Sequence, residues 1–336
     1  RQVFHNDVGE TDRVRLDAPP QGEYREYEAY RLSKTGKILK VKLHGKELTK
    51  EELVKFKDQV EAGKLKEIGS WVSHGAISII HEDDALTRPM TARWVVQWKE
   101  MPDGTYVIKC RLVVRGFQDP QGYGMETYSP TGSRLSQRML LSTCVLYHWE
   151  VVSMDIGTAF LQGQPLEEAD PVSGKTRAGC MKPPDDCWKY LPKNFPKLGE
   201  AMKDTASYLW MLIKAVYGLK DAPRLWAAAL TVWLLGLGFV QSRHDRMVFF
   251  LRKDKSGRWS TKLQPIRKGI LIAMVVGHVD DLGVGAKPEV YTWLHKEAEK
   301  KFGPTRLEKG TFLHVGLQYR NLPGYEKSAD LEEFIR

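Results

Sequence analysis

Two adjacent carboxylates, Asp280 and Asp281, interrupt an otherwise apolar stretch that runs from residue 271 to residue 286. The residues on either side are mostly Val, Ile, Leu, Ala and Gly, which predicts a buried strand before the pair and another after it. Asp is rare in strands, and two neighbouring carboxylates repel each other, so a buried pair needs a nearby cation to stay ionised. The sequence therefore predicts a site for a hard divalent metal ion at a strand end.

A third carboxylate, Asp155, stands near the end of another apolar strand, which we predict over Val151–Ile156. If the two acidic strands are neighbours, the three carboxylates surround one site that could bind two Mg²⁺ ions roughly 3.5 to 4 Å apart. The alternative from composition is that Asp155 caps a turn.

A basic hairpin is predicted upstream of these acids. Trp94–Trp98 alternates apolar and polar residues, Pro102-Asp103-Gly104 forms a turn, and Tyr106–Arg115 is the returning strand. Because side chains alternate along a strand, Lys109, Arg111 and Arg115 should project from one face. The net charge of +9 suits a polyanionic partner. The alternative for these cations is a solvated surface.

The remaining patterns predict strands separated by helices, which favours an α+β fold. The chain shows no Gly-rich dinucleotide or P-loop fingerprint, no apolar run that could cross a bilayer, and four Cys without metal-ligand spacing, as in a reduced intracellular protein. Residues 1–30 should form a loose lead-in. The other predicted elements are a hairpin over 30–43, helices over 49–70 (with Thr49 and Glu52 as a capping box), 135–149, 223–238 and 289–302, and a last strand over Phe312–Tyr319.

Four ordered blocks resemble the reverse transcriptases of copia-type retrotransposons. Residues 155–163 resemble motif A, 215–224 motif B, 278–281 motif C and 109–118 the fingers block, and the resemblance spans roughly residues 70–320. It implies a right-hand polymerase palm, which is a ferredoxin-like or split βαβ antiparallel sheet with helices on one face, plus fingers and a largely missing thumb.

The resemblance divides the chain into four parts. They are an N-terminal extension with a basic hairpin (1–48), fingers (49–150, with a helix, the basic hairpin 92–116 and helix 135–149), a palm (151–310, with a long insertion 164–206), and a primer-grip strand and tail (311–336). The chain starts at Arg1 instead of Met, so we expect a fragment. Its end at Arg336 leaves little room for a thumb and none for a ribonuclease H domain, so we expect low processivity.

The resemblance also implies roles for individual residues. The catalytic residues would be Asp155, Asp280 and Asp281, which would bind the metal together with the backbone carbonyl of Ile156. The dNTP-binding residues would be Lys109, Arg111, Phe160, Tyr217, Gly218 and Lys99, although a surface role for Lys99 stays equally open. The primer and template would contact His278, Val279, Arg115, Pro223 and Gly316.

Three positions depart from the pattern of the resembled family. His278 replaces a Tyr, Gly157 replaces a common Lys, and Asp221 replaces a Gln, which would add negative charge near the template path. None of these changes removes an expected metal ligand.

The implied activity is RNA-directed DNA synthesis with two Mg²⁺ ions, for which Mn²⁺ could substitute. The partners would be an RNA template, a DNA primer, the RNA/DNA duplex and dNTPs, without a membrane, inside the cell in the cytoplasm, in retrotransposon particles, or in the nucleus. The sequence sets no oligomeric state. One alternative is a weak or co-opted polymerase fold that binds RNA without copying it. Another is an RNA-dependent RNA polymerase, against which Phe160 argues because it would exclude a 2′-hydroxyl.

Overall fold

The computed structural model describes residues 45–101, 104–167, 177–315 and 317–321, and the backbone of five further strands. The helices are α1 (Lys50–Lys55), α2 (Lys57–Ser73), α3 (Arg134–Leu146), α4 (Leu198–Ala201), α5 (Ala222–Gly236) and α6 (Pro288–Phe302). The strands are β1 (Gln2–His5), β2 (Arg13–Asp17), β3 (Glu28–Leu32), β4 (Ile38–Val41), β5 (Ile77–His81), β6 (Met90–Glu100), β7 (Tyr106–Val114), β8 (Glu150–Ile156), β9 (Cys180–Lys182), β10 (Tyr208–Leu212), β11 (Val240–Gln241), β12 (Val248–Lys253), β13 (Ile270–His278), β14 (Asp281–Ala286), β15 (Thr305–Glu308), β16 (Thr311–His314), β17 (Leu317–Asn321) and β18 (Lys327–Asp330).

These strands form four sheets. Their orders are β1-β2-β3-β4, β5-β10-β9-β6-β7, β11-β12-β13-β14-β8-β15 and β16-β17-β18. The hairpin predicted over 30–43 corresponds to β3 and β4, which pair antiparallel. The loose lead-in predicted over 1–30 is wrong for β1 and β2, because β2 pairs with both β1 and β3 and its backbone groups have partners on both edges.

The six-stranded sheet carries the acidic strands and is covered on both faces. On one face Val152 and Met154 of β8 pack in a core with helices α5 and α6, and on the other Val151 packs with Leu140 of α3. The predicted sheet has helices on one face only, whereas this sheet has helices on both faces. The cause is visible in β13, whose nearly continuous apolar run supplies buried side chains to both sides.

The five-stranded sheet carries the predicted basic hairpin, β6 and β7, in antiparallel register with Gln97 opposite Lys109. The segment 164–206, predicted as a long excursion, contributes β9 to this sheet, parallel to β6 and antiparallel to β10. Its Trp188 and Leu198 are buried in the same core as Trp71 of α2. The apolar residues of this segment are spaced among Pro, Gly and Lys, so its composition does not predict the strand or the buried side chains.

Most predicted helices lie where the sequence placed them, with two local differences. The capping box of Thr49 and Glu52 is present, but the helix breaks at Phe56 and α2 then continues to Ser73. The single strand predicted over Phe312–Tyr319 is wrong, since β16 and β17 form a hairpin whose turn contains Val315 at a φ of 51°. Within the described part of the chain, no helix combines the length and apolar character needed to cross a membrane.

Candidate active site

The acidic pair lies at the tip of the tight hairpin formed by β13 and β14. Strand β13 ends at His278 and β14 begins at Asp281, so only Val279 and Asp280 form the turn. Asp281 stands opposite His278 within the hairpin and opposite Asp155 on β8. The Asp280 carbonyl accepts the N–H of Ile156 at 2.9 Å. The structure thus brings the three predicted carboxylates to one end of neighbouring strands.

The turn itself is held from behind by helix α5. Val279 adopts a φ of 57°, which is unfavourable for a β-branched residue. Its carbonyl accepts a hydrogen bond of 2.7 Å from the indole N–H of Trp226, a fully buried residue whose ring packs 5.3 Å from that of Phe302. Trp226 is thus a core residue of α5 that also fixes the position of the acidic turn.

The carboxylates experience different environments. Burial, together with repulsion from Asp155 and Asp281, raises the pKa of Asp280 above its ordinary value. Burial also opposes ionisation of Asp281, but hydrogen bonds and charge from His314, supported by Ser153, hold its pKa below the ordinary value. Mutual repulsion among hard oxygen donors favours a divalent cation here. However, no set of three or more His, Cys, Asp or Glu side chains converges closely enough to hold a metal ion among the residues with described side chains.

Two residues that sequence reasoning missed hold Asp281. The Ser153 hydroxyl donates to Asp281 Oδ1 at 2.7 Å, and His314 Nδ1 lies 3.2 Å from the same oxygen. Ser153 stands two residues before Asp155 on β8, so strand alternation could have placed both on one face. His314 lies far along the chain, and no local pattern connects it to Asp281.

The cations of the basic hairpin lie on the outer face of β7. Lys109 retains an exposed side chain, yet desolvation of its ammonium and repulsion from Arg111 and Lys99 lower its pKa to about 8. Asp155, near the end of β8, acts on the pKa of the same ammonium in the opposite sense, so this carboxylate lies within electrostatic range of the basic hairpin. Arg115 follows the end of β7 at Val114, and its guanidinium donates to Thr91 Oγ1 at 3.2 Å. That Arg115 contributes to the cationic face stays a prediction.

Aromatic residues connect this cationic face to the segment after Asp155. The Arg111 guanidinium lies 5.2 Å from the centre of the Tyr217 ring, and Tyr217 meets Phe160 edge to face at 5.3 Å. Burial, with a contribution from the Glu67 carboxylate, raises the pKa of Tyr217 to about 12. Tyr217 is therefore a neutral phenol against which a ligand of the cations could pack.

Gly218 closes the turn that follows Tyr217. Its φ is 100°, and a Cβ at this position would lie 1.9 Å from the carbonyl oxygen of Val114. Only glycine fits there, because the turn packs directly on the end of β7. Pro223 lies beyond it at the start of α5, where its carbonyl accepts the Ser129 hydroxyl at 3.0 Å. Gly316, the last predicted primer contact, lies outside the described residues.

Asp221, predicted to add negative charge near the template path, is not an isolated charge in the structure. It is fully buried and pairs with the Arg177 guanidinium at 2.7 Å, which also binds Asp119 at 2.7 Å. A buried carboxylate needs such a partner, and no local sequence pattern identifies Arg177 as that partner. At Gly157, where the resembled family commonly has Lys, an added Cβ would meet nothing within 4 Å.

The fold and site define a mixed α+β protein in which a cluster of carboxylates at strand ends faces a cationic hairpin. Residues 80–263, more than half of the chain, match the family described as reverse transcriptase (RNA-dependent DNA polymerase), and the chain belongs to this family.

Curated relatives agree with this assignment. The chain is 34% identical over 166 residues to the retrovirus-related Pol polyprotein from transposon RE1 and 33% identical over 166 residues to that from transposon RE2, both of Arabidopsis thaliana. It is 28% identical over 198 residues to the corresponding polyprotein from transposon TNT 1-94 of Nicotiana tabacum. These alignments cover 49%, 49% and 58% of the chain and 10%, 10% and 13% of the relatives, so the chain spans about a tenth of their length. The matches confirm the copia-type resemblance.

Proposed function

We propose that this chain is the core of an RNA-directed DNA polymerase, which adds dNTPs to the 3′ end of a DNA primer on an RNA or DNA template. The observation that carries the proposal is the position of Asp155 beside Asp280 and Asp281, opposite the cationic face of β7. Membership in the reverse transcriptase family supports the same conclusion.

In this proposal the six-stranded sheet is the palm. Its strands β15, β8, β14 and β13 are neighbours in that order and pair antiparallel. Helix α5 lies in sequence between β8 and β13, and α6 between β14 and β15, as in a split βαβ arrangement. The five-stranded sheet with the basic hairpin would form the fingers.

Two Mg²⁺ ions, or Mn²⁺ in their place, would be held by Asp155, Asp280 and the Ile156 carbonyl, with Asp281 as an additional carboxylate. The donor set fits, because Mg²⁺ prefers carboxylate and carbonyl oxygens. Burial, followed by repulsion from Asp155 and Asp281, raises the pKa of Asp280, and a bound cation would favour its ionised form. When bound, the ions would supply charge neutralisation at the phosphates and activation of the primer hydroxyl.

The remaining site residues would bind and orient the nucleotide. Lys109 and Arg111 would bind the triphosphate, for which a guanidinium offers paired donors. Phe160, fixed by its edge contact with Tyr217, would pack beneath the deoxyribose and exclude a 2′-hydroxyl. His278, beside the acidic pair, would contact the primer end together with Val279.

Primer extension on poly(rA)/oligo(dT) with either Mg²⁺ or Mn²⁺ tests the proposal. Asp280→Asn should reduce the rate by at least about a thousandfold, since it removes charge at the reacting centre. Asp58→Asn, which removes an exposed carboxylate on α2, is the control and should extend primers like the parent chain. Inactivity of the parent with both metals, or full activity of Asp280→Asn, would contradict the proposal.

A second candidate function is RNA binding without copying. The observation that favours it is the engagement of Asp281 with Ser153 and His314 instead of a three-carboxylate cluster among the described side chains. Duplex binding that weakens as salt rises, without nucleotide incorporation, would support this candidate over the polymerase.

A further inference from the structure

We propose that His314 is a positioning residue for Asp281 and that, with Ser153, it binds one carboxylate oxygen so that the other faces the metal site. The inference rests on the proposed function, because the metal site belongs to that function. It assigns the hairpin of β16 and β17 a direct part in building the site.

Both contacts reach the same atom. Ser153 Oγ lies 2.7 Å and His314 Nδ1 3.2 Å from Asp281 Oδ1. An ionised carboxylate only accepts hydrogen bonds, so the hydroxyl and the Nδ1–H both donate to it. No described residue is bonded to Oδ2 of Asp281, and this side chain keeps 31% of its surface exposed. Oδ1 is thus occupied, whereas Oδ2 is free to face the site.

The fold makes room for the imidazole at this point. His314 is 2% exposed, and its ring meets Tyr319 edge to face at 5.7 Å. On β14, a Cβ at Gly283 would approach His314 Nε2 to 3.1 Å, so a glycine here accommodates the ring. Nε2 is buried and has no hydrogen-bond partner among the described residues. The polar contacts of the ring are thus made by Nδ1, which lies 3.2 Å from Asp281 Oδ1 and 3.2 Å from Ser153 Oγ, so His314, Ser153 and Asp281 form one buried polar cluster.

The hairpin that carries His314 is anchored separately to the acidic sheet. The Asn321 side chain accepts the N–H of Val151 at 3.1 Å and donates to its carbonyl at 2.8 Å. Phe312 stacks on Tyr319 at 5.4 Å in the core shared with α3. Because the hairpin is held by these other contacts, His314 can be changed without removing what docks the hairpin.

The consequence concerns metal affinity. Hydrogen bonds to a ligating carboxylate fix its orientation, and losing them commonly weakens metal binding by roughly 10-fold to 100-fold. Without His314 the Asp281 carboxylate would be held by Ser153 alone, and Oδ2 would be less firmly oriented toward the site.

The experiment measures Mn²⁺ binding by electron paramagnetic resonance on the full, nucleotide-free chain, alongside primer extension. His314→Leu should weaken Mn²⁺ binding by about tenfold, whereas His314→Asn, whose amide can donate to Oδ1, should recover most of the affinity. Thr311→Ala, at an exposed position of the same hairpin, is the control and should bind Mn²⁺ like the parent. Parent-like Mn²⁺ affinity in His314→Leu would overturn the inference.

A double-mutant cycle tests the contact independently of metal and activity. The shifts in urea midpoint for His314→Leu and Asp281→Asn should be non-additive, because the two residues interact directly. Additive shifts would overturn the inference even if the enzyme is active. Conversely, a parent that extends no primer but shows the Mn²⁺ effect and non-additivity would refute the polymerase proposal and leave the positioning role intact. A parent that binds no Mn²⁺ would overturn the positioning role, and primer extension would still decide the polymerase proposal separately.

Discussion

The acidic hairpin (β13 and β14) and the basic hairpin (β6 and β7) hold their charges in opposite ways. The acidic hairpin has a two-residue turn and buried strands, and its tip is contacted from β8, α5 and β16 through Ile156, Trp226 and His314. The basic hairpin has strands of eleven and nine residues, and its cations project from the outer face. Short carboxylates that are buried need fixed partners, whereas long basic side chains can pack their stems and keep their charges near water.

The largest expected effect is at Gly218, whose turn packs directly against the end of β7 in the basic hairpin. Gly218→Ala should lower the free energy of unfolding by about 3 kcal/mol, because it combines an unfavourable positive φ with a clash against the Val114 carbonyl. Urea denaturation measures the loss. Gly69→Ala in α2, where an added Cβ meets nothing within 4 Å, should instead stabilise the chain by about 0.5 kcal/mol. Equal stability of both variants would show that the turn and β7 are not in close contact.

The pH dependence of Lys109 tests whether its charged ammonium binds the phosphates of the dNTP. Its pKa is about 8, well below that of an ordinary lysine, so the ammonium is lost as the pH rises through that value. The KM for dNTP should therefore rise, by up to about tenfold near pH 9. Lys109→Arg stays charged and should show no such rise in steady-state primer extension. Lys66→Arg, at an exposed position of α2, should keep the parent's profile. A pH profile shared by Lys109→Arg and the parent would remove Lys109 from the binding site.

The smallest expected effect concerns Trp226, whose hydrogen bond holds the turn of the acidic hairpin. Trp226→Phe keeps an aromatic ring but removes the hydrogen bond to Val279, which is worth about 1 kcal/mol and corresponds to roughly a fivefold lower kcat. Trp233→Phe is the matched control, since Trp233 packs against the same Phe302 ring at 5.0 Å and donates to no described residue of the turn. If both variants lose kcat equally, packing of α5 matters and the hydrogen bond does not.

Local patterns predicted the elements of the site well. The capping box at Thr49, the alternation along β7 and the apolar run before Asp280 each depend on neighbouring residues, and the structure contains all three elements. Pairing of the two acidic strands followed from the resemblance together with their similar ends. These features were accessible because short-range sterics, capping and side-chain alternation act within a few residues.

Other features depended on residues distant along the chain. The apolar residues of 164–206 follow no regular period, so they do not predict β9. The turn at Val315 needs an unfavourable positive φ, which the residue type does not predict. The pairing of Arg177 with Asp221 could not be predicted from local sequence either, because a buried ion pair depends on which segments pack together in the fold.

The sequence by itself determined where the charges stand: three carboxylates at strand ends and a row of cations on one face of a strand. Only the tertiary structure decided how each carboxylate is held, with Trp226 bonded to the turn and His314 to Asp281 Oδ1. The physical reason is that strand and turn preferences act locally. The hydrogen bonds that stabilise a buried charge come from whatever elements pack against it.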